Sequence, residues 1–317
     1  MKSLLKVNKK INSFIQEIKV DGDKSLSIRW VLLASQTTGK SRAYNLLMSE
    51  DVFAAIDSIK KLGIKVKVYK NYCEIFGNGI NGFKYKKDII IDARNSGTLG
   101  RLILGLLIKS PHKIKLIGDK SLSKRDFSRV TTPLKKFGVK FFYKKKGKLP
   151  LSILGSKSFK DVKYLENKGS AQCKSSVMLA ALNSSGTTFI KAKKSRNHSE
   201  LIFKYLKIPI KIKKTKEYDF IDIKQPKKIK AFNYKIPGDI SSSAFFIVLT
   251  VLTTDSKLLI KNVNINSSRT GIILILKKMG AKIFLKNKKN YRGEKISDIL
   301  IKSSKNLKAI NCPPELN

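Results

Sequence analysis

One short motif returns along the chain at a nearly constant interval. Lys60-Lys61-Leu62-Gly63-Ile64-Lys65 recurs as Lys135-Lys136-Phe137-Gly138-Val139-Lys140 and as Lys277-Lys278-Met279-Gly280-Ala281-Lys282. The first two glycines are 75 residues apart and the next interval is 142, twice 71. A further copy is therefore expected near residue 209, where Tyr205 to Lys211 keeps the pattern with Pro209 read in the place of the glycine. A period of this size marks supersecondary units that bury their apolar faces only by packing on one another.

Each copy predicts the same local structure. Before the glycine lies a segment of helical period, such as Asp51 to Leu62, which the glycine stops. After it come two alternating runs around a polar turn: Ile64, Val66 and Val68, then Cys73 to Phe76. Period two broken by a turn is hairpin chemistry. Earlier in each unit stands a more apolar helix with a serine start: Ser25 to Ala34, Ser96 to Ile108, Ser170 to Leu182 and Ser241 to Leu252. The units thus read as strand, buried helix, strand, amphipathic helix, hairpin. Gly22-Asp23-Lys24-Ser25 and Gly238-Asp239-Ile240-Ser241 lie 216 residues apart, three units of 72. This places a three-repeat domain at residues 22–238. Residues 1–21 with 239–317 form a second, discontinuous domain, and the two crossings form a double hinge.

Charge constrains function less than its size suggests. Lys+Arg number 67 against 22 Asp+Glu, a net charge of +45, which taken alone points to a polyanion. Only nine of these are arginines, and the lysines are spread over the whole length. No RNP-like or zinc-finger spacing accompanies them. A basic nucleic-acid-binding protein is thus the rival from another class, and we expect no nucleic-acid partner. Cys73, Cys173 and Cys312 form no CxxC pair, which argues for a reducing compartment without a metal site. The longest apolar stretch, Ala244 to Leu252, is far below the roughly 18 residues of a membrane span. The segment MKSLLKVNKKINSF carries no signal-like apolar core. A cytoplasmic monomer without membrane contact is expected.

Helix starts present unpaired amides and a positive dipole end, which favour phosphate and carboxylate groups. In this repeat they should converge on one face. Lys24, Ser25 and Arg29 open the first unit; Asn95, Gly97, Thr98 and Arg101 open the second; Ser170, Gln172 and Lys174 open the third. Arg125 and Arg196 stand near starts of amphipathic helices. Four of the nine arginines (29, 101, 125, 196) at repeat-related starts suggest bidentate recognition of an anion. The alternative is that Ser and Asn merely cap helices, and at any single start the residues leave both readings open. His198 reads as a capping or packing residue sooner than a general base, Cys173 as packing, and Asp23 and Asp239 as hinge and turn residues.

Taken in order, DGDKSLSIR, RNSGTLGR, GDKSLSKR, GSAQCKS, SRNHSE and PGDISSSAFF, followed by NSSRTGI, make the protein resemble the 5-enolpyruvylshikimate-3-phosphate synthase (3-phosphoshikimate 1-carboxyvinyltransferase) family, in particular its bacterial glyphosate-tolerant branch. The resemblance implies an α/β protein with the two-domain enolpyruvyl transferase fold. It also implies transfer of the enolpyruvyl group of phosphoenolpyruvate to the 5-hydroxyl of shikimate 3-phosphate, without metal or organic cofactor. By that similarity Lys24 touches both substrates, and since the reaction needs general acid/base groups, Lys24 is also the candidate for proton transfer. Ser25, Arg29, Ser170, Ala171, Gln172 and Arg196 hold shikimate 3-phosphate, with Arg196 on its phosphate. Gly97 and Arg125 line the phosphoenolpyruvate site, and Asn95, Thr98 and Arg101 belong to its supporting loop.

Departures from the family pattern are Asp21 for a proline, Ser96 for an alanine, and Asp126-Phe127 for Pro-Met. Gly97 matches the inhibitor-sensitive form of its loop, so sensitivity to glyphosate is expected. The related UDP-N-acetylglucosamine enolpyruvyl transferases place a reactive cysteine in the loop corresponding to Gly118 to Arg125, and here that loop has none. Family members continue beyond the Pro313-Pro314-Glu315 segment, to six units. Against these the sequence shows four and the beginning of a fifth. The second domain is therefore expected to be incomplete, the polypeptide to be truncated at its C-terminal end, and its turnover alone to be small.

Overall fold

A computed structural model describes residues 11–157 and 161–312. The first ten residues, part of the segment without a signal-like core, and the Pro313-Pro314-Glu315 segment lie outside the described residues. The protein divides into two compact units, Gly22–Ile236 and Met1–Asp21 with Pro237–Asn317.

The larger unit contains the repeat three times. Its first copy runs through α1 (Lys24–Ala34), β2 (Thr38–Tyr44), α2 (Glu50–Lys61), β3 (Lys65–Val68) and β4 (Tyr72–Asn78). The second comprises β5 (Ile90–Asp92), α3 (Gly97–Leu106), β6 (Ile114–Ile117), α4 (Lys120–Ser123), α5 (Ser128–Lys135), β7 (Lys140–Tyr143) and β8 (Leu151–Leu154). The third comprises β9 (Val162–Glu166), α6 (Ala171–Ala181), β10 (Thr188–Lys193), α7 (His198–Tyr205), β11 (Ile210–Lys214) and β12 (Tyr218–Ile223), and the unit ends on β13 (Tyr234–Lys235). The smaller unit holds β1 (Ile15–Ile18), α8 (Ile240–Leu252), β14 (Lys257–Asn264), α9 (Gly271–Lys278), β15 (Lys282–Tyr291) and β16 (Glu294–Lys302).

All four sheets share one plan. The orders are β13-β2-β4-β3, β5-β6-β8-β7, β9-β10-β12-β11 and β1-β14-β16-β15. In each, the first pair is parallel and the remaining pairs are antiparallel, and in β5-β6 and β9-β10 the parallel pair is bridged by a buried helix, α3 and α6 respectively. Here the structure corrects the simple repeat. The strand before α1 in sequence is β1, yet it pairs with β14 of the smaller unit. The parallel partner of β2 is β13, in the register Tyr234↔Ala43. The first sheet of the larger unit therefore takes its opening strand from that unit's C-terminal end, and the sheet of the smaller unit takes its own from the segment before the first crossing.

The repeated glycine stops work as expected at three copies. Gly63, Gly138 and Gly280 have φ of 84°, 80° and 96°, the left-handed conformation that ends a helix without a Cβ penalty. At the fourth copy this position belongs to Lys207, with φ of 56°, and not to Pro209. The hydrogen bonds fix the equivalence: Ile208 N donates to Phe203 O as Ile64 N donates to Ile59 O, both at 3.0 Å. Proline has φ locked near −65° and lacks the amide, so it cannot fill that role.

Helices α1, α3 and α6 are buried almost all round and form the centre of the larger unit. A Cβ on Gly105 of α3 would stand 2.1 Å from the Ser176 carbonyl of α6, so a small residue sets the close approach of these two backbones. In the smaller unit, Val20, Ile240, Ile247, Ile260, Ile299 and Ile301 make up the core between α8 and the sheet. Helix α8 is apolar on its other face as well, and Phe245 and Leu252 remain 79% and 67% exposed. No helix among the described residues is long and apolar enough to cross a membrane.

Candidate active site

Capping accounts for part of each helix start. Asp23, Ser96 and Ser170 are the N-caps of α1, α3 and α6. Their side-chain oxygens accept from Leu26 N at 2.9 Å, Leu99 N at 3.3 Å and Cys173 N at 3.3 Å. Asp23 and Asp239, read from the sequence as hinge and turn residues, stand in the structure as N-caps, since Asp239 likewise accepts from Ser241 N at the start of α8. Once a cap satisfies one amide, the next residues are released for other work. Lys24 is exposed, while Ser25, Thr98, Ala171 and Gln172 are half-buried.

Gln172 joins the second and third starts. Its Oε1 accepts from Arg101 Nη1 at 2.7 Å, and its Nε2 donates to Thr98 Oγ1 at 3.0 Å. Arg101 Nη1 also reaches the Gly97 carbonyl at 3.3 Å, and its guanidinium lies 5.2 Å from the ring centre of Phe127. A Cβ placed on Gly97 would stand 2.9 Å from Arg101 Nη1 and 2.9 Å from Arg125 Nη1. Two guanidiniums therefore flank the start of α3, and the absence of a side chain leaves the space between them. Burial, joined by the like charges of Arg125 and Arg129, draws the Arg101 guanidinium below its ordinary value. An anion placed here would offset that repulsion.

Arg125 owes its place to a tied loop. The segment from Gly118 folds as its own short helix, α4, and the amphipathic α5 begins only at Ser128, so Arg125 lies in the connection between them. Asp119 caps α4 through the Leu122 amide at 2.6 Å and accepts from Asn95 Nδ2, while its own amide donates to the Arg94 carbonyl at 2.8 Å. The Leu122 amide and the Asn95 carboxamide hold Asp119 below the usual carboxylate range. Asn95 thus fastens the loop bearing Arg125 to the start of α3.

A second group surrounds Arg29, which is only 4% exposed. Its Nε donates to Ser199 Oγ at 2.8 Å, Nη2 to Ser175 Oγ at 3.0 Å and Nη1 to the Ser25 carbonyl at 3.0 Å. Lys24 turns to α2, with Nζ 3.5 Å from Asp51 Oδ2, an exposed pair worth little to stability. Arg196 is exposed just before α7, whose first residue, His198, is buried. The structure thus gathers Asn95, Gly97, Thr98, Arg101, Arg125 and Gln172 into one group and Ser25 with Arg29 into another.

Lys174 departs from the sequence reading. It does not serve the helix start, because its side chain is sealed from solvent and its Nζ lies 2.6 Å from Glu200 Oε1. Ser175, Ser199 and Glu200 were not singled out from sequence. Their signal is that Ser175 closes the GSAQCKS motif and Ser199 with Glu200 closes SRNHSE, although neither motif assigns them a role. Among the described residues no group of three His, Cys, Asp or Glu side chains is placed to hold a metal ion.

Four like sheets, with arginines grouped at the starts of buried helices, define a class of repeat-built α/β proteins whose helix starts suit anions. The chain belongs to the EPSP synthase (3-phosphoshikimate 1-carboxyvinyltransferase) family, whose profile matches residues 8–313. It is 37% identical over 303 residues to the 3-phosphoshikimate 1-carboxyvinyltransferase of Petrotoga mobilis, covering 95% of this chain and 69% of that protein. Against the Bacillus subtilis protein of the same name, identity is 36% over 303 residues, covering 95% of this chain and 69% of the relative. The solved EPSP synthase of Acinetobacter baumannii superposes with a TM-score of 0.86 at 32% identity, over 96% of this chain and 68% of that one.

Proposed function

We propose that the protein transfers the enolpyruvyl group of phosphoenolpyruvate to the 5-hydroxyl of shikimate 3-phosphate and releases phosphate, a step toward aromatic compounds. The observation that carries this reading is the pair of guanidiniums, Arg101 and Arg125, standing either side of the side-chain-free Gly97. Fixed cations at a helix start suit a phosphate or carboxylate. In this reading Gly97 and Arg125 line the phosphoenolpyruvate site, with Asn95, Thr98 and Arg101 holding its walls. Ser25, Arg29, Ser170, Ala171, Gln172 and Arg196 receive shikimate 3-phosphate, and Lys24 reaches both substrates.

The chemistry asks for proton transfer and for charge held in place. As the 5-hydroxyl adds to C2 of phosphoenolpyruvate, the methylene carbon takes a proton and a tetrahedral intermediate forms. Its collapse expels phosphate and returns a proton from the methyl group, giving the enol ether. Arg101, held by Gln172, and Arg125, on the loop that Asn95 fastens through Asp119, stabilise the anionic groups with little reorganisation. Lys24, exposed at the start of α1, is the proton-transfer group. The reaction as written uses no cofactor, and the protein acts in the cytoplasm on these two small molecules. Phosphate release measured with each substrate alone and with both tests the reading. Release only when both are present supports it, and release indifferent to shikimate 3-phosphate overturns it.

A further inference from the structure

The polar contacts between α6 and α7 come as two neighbouring pairs. Lys174 of α6 meets Glu200 of α7 at 2.6 Å, and next along each helix Ser175 Oγ meets Ser199 Oγ at 2.7 Å. All four side chains are buried. The two hydroxyls are also the ones to which Arg29 of α1 donates, through Nη2 and Nε. A planar guanidinium held at two edges by fixed acceptors loses most of its rotational freedom. A further hydrogen bond, Nη1 to the Ser25 carbonyl, fastens it to its own helix.

We infer that Ser175 and Ser199 are positioning residues for substrate binding, acting through Arg29, and that the Lys174–Glu200 pair clamps α6 to α7 to keep their hydroxyls in register. The inference rests on the proposed assignment of Arg29 to shikimate 3-phosphate. A packing role alone would not require two serines converging on one guanidinium. A serine acting through Arg29 also has a distinctive energetic signature, because its effect vanishes when Arg29 is absent.

The test is calorimetric titration of shikimate 3-phosphate into the protein bearing Ser199→Ala, Arg29→Ala or both. Ser199→Ala is expected to weaken binding by roughly tenfold, the scale of a hydrogen bond to a charged group. In the Arg29→Ala background it should add no further loss, and Ser199→Thr, which keeps the hydroxyl, should recover most of the affinity. Equal losses in both backgrounds, or unchanged affinity in Ser199→Ala, overturn the inference while leaving the substrate assignment intact. Failure of the unsubstituted protein to bind shikimate 3-phosphate overturns the assignment itself and the inference with it. Far-ultraviolet circular dichroism checks folding, and if Ser199→Ala fails to fold, Ser175→Ala takes its place in the same cycle.

Discussion

Nζ of Lys174 and Oε1 of Glu200 meet at 2.6 Å with essentially no solvent reaching either side chain. Removing one member leaves the other charge buried, so Lys174→Met is expected to cost about 3–5 kcal/mol, whereas replacing both residues by apolar ones of similar volume costs far less. Urea unfolding of the single and double variants separates the two cases. Equal losses in both would show that the pair matters by shape and not by charge.

Gly97→Ala should fold normally, because the groups that its Cβ meets at 2.9 Å are the movable ends of Arg101 and Arg125. The displaced guanidiniums then fit a small anion less well, and affinity for phosphoenolpyruvate should fall about tenfold, the scale of one methyl group in a fitted pocket. Glyphosate inhibition should weaken in the same variant. Inhibition constants that match those of the parent protein would refute the placement of Gly97.

Gly63 and Lys207 occupy the same helix-ending conformation with opposite side-chain fitness. Gly63→Ala brings a Cβ to 2.0 Å from the Lys84 carbonyl at a φ of 84°, and should destabilise by more than about 1 kcal/mol. Lys207→Gly removes the penalty of a left-handed lysine and should gain up to about 1 kcal/mol. Thermal unfolding of both variants checks the opposed signs.

Asp119 links stability to pH through the loop that carries Arg125. Its folded-state pKa is lowered by the Leu122 amide and the Asn95 carboxamide, so it binds its proton more readily in the unfolded state. The stabilisation is complete above the unfolded value of about 4 and is lost as pH falls through the lower folded value. Asp119→Asn should flatten the stability profile below about pH 4. A variant profile as steep as the parent's would assign the acid sensitivity to other carboxylates.

Thiol reactivity should be selective. Burial pushes the Cys73 thiol up to about 12 and raises Cys173 as well, whereas Cys312 is exposed. The thiolate is the reactive form. A disulfide reagent at about pH 8, near the ordinary thiol value, should therefore modify one thiol quickly in the native protein and the other two only on unfolding.

The repeat was readable because its signals are local: a helix period, a stop, an alternating hairpin. Its exceptions were unreadable for the same reason. Nothing around Tyr234 announces that it pairs with Ala43, since the register is set by residues far away in sequence. A left-handed lysine at 207 carries no compositional mark, whereas proline at 209 catches the eye. In the site, helix starts drew attention to Gly97, Arg101 and Arg125, which the structure brings together. Ser175 and Ser199 stand in the GSAQCKS and SRNHSE motifs but carry no legible role there, because Arg29, the group that gives them meaning, is 146 and 170 residues away.

The strand that completes the first sheet carries a kinetic consequence. The Asn45 side chain, just beyond β2, waits for the carbonyl of Ile236, 191 positions later. Contacts of such separation form late, because the loop entropy must be met before they return anything. As the polypeptide emerges from a ribosome, the first repeat therefore stays open along one edge until the third has been made. Of the three, it is the earliest synthesised and the last to close.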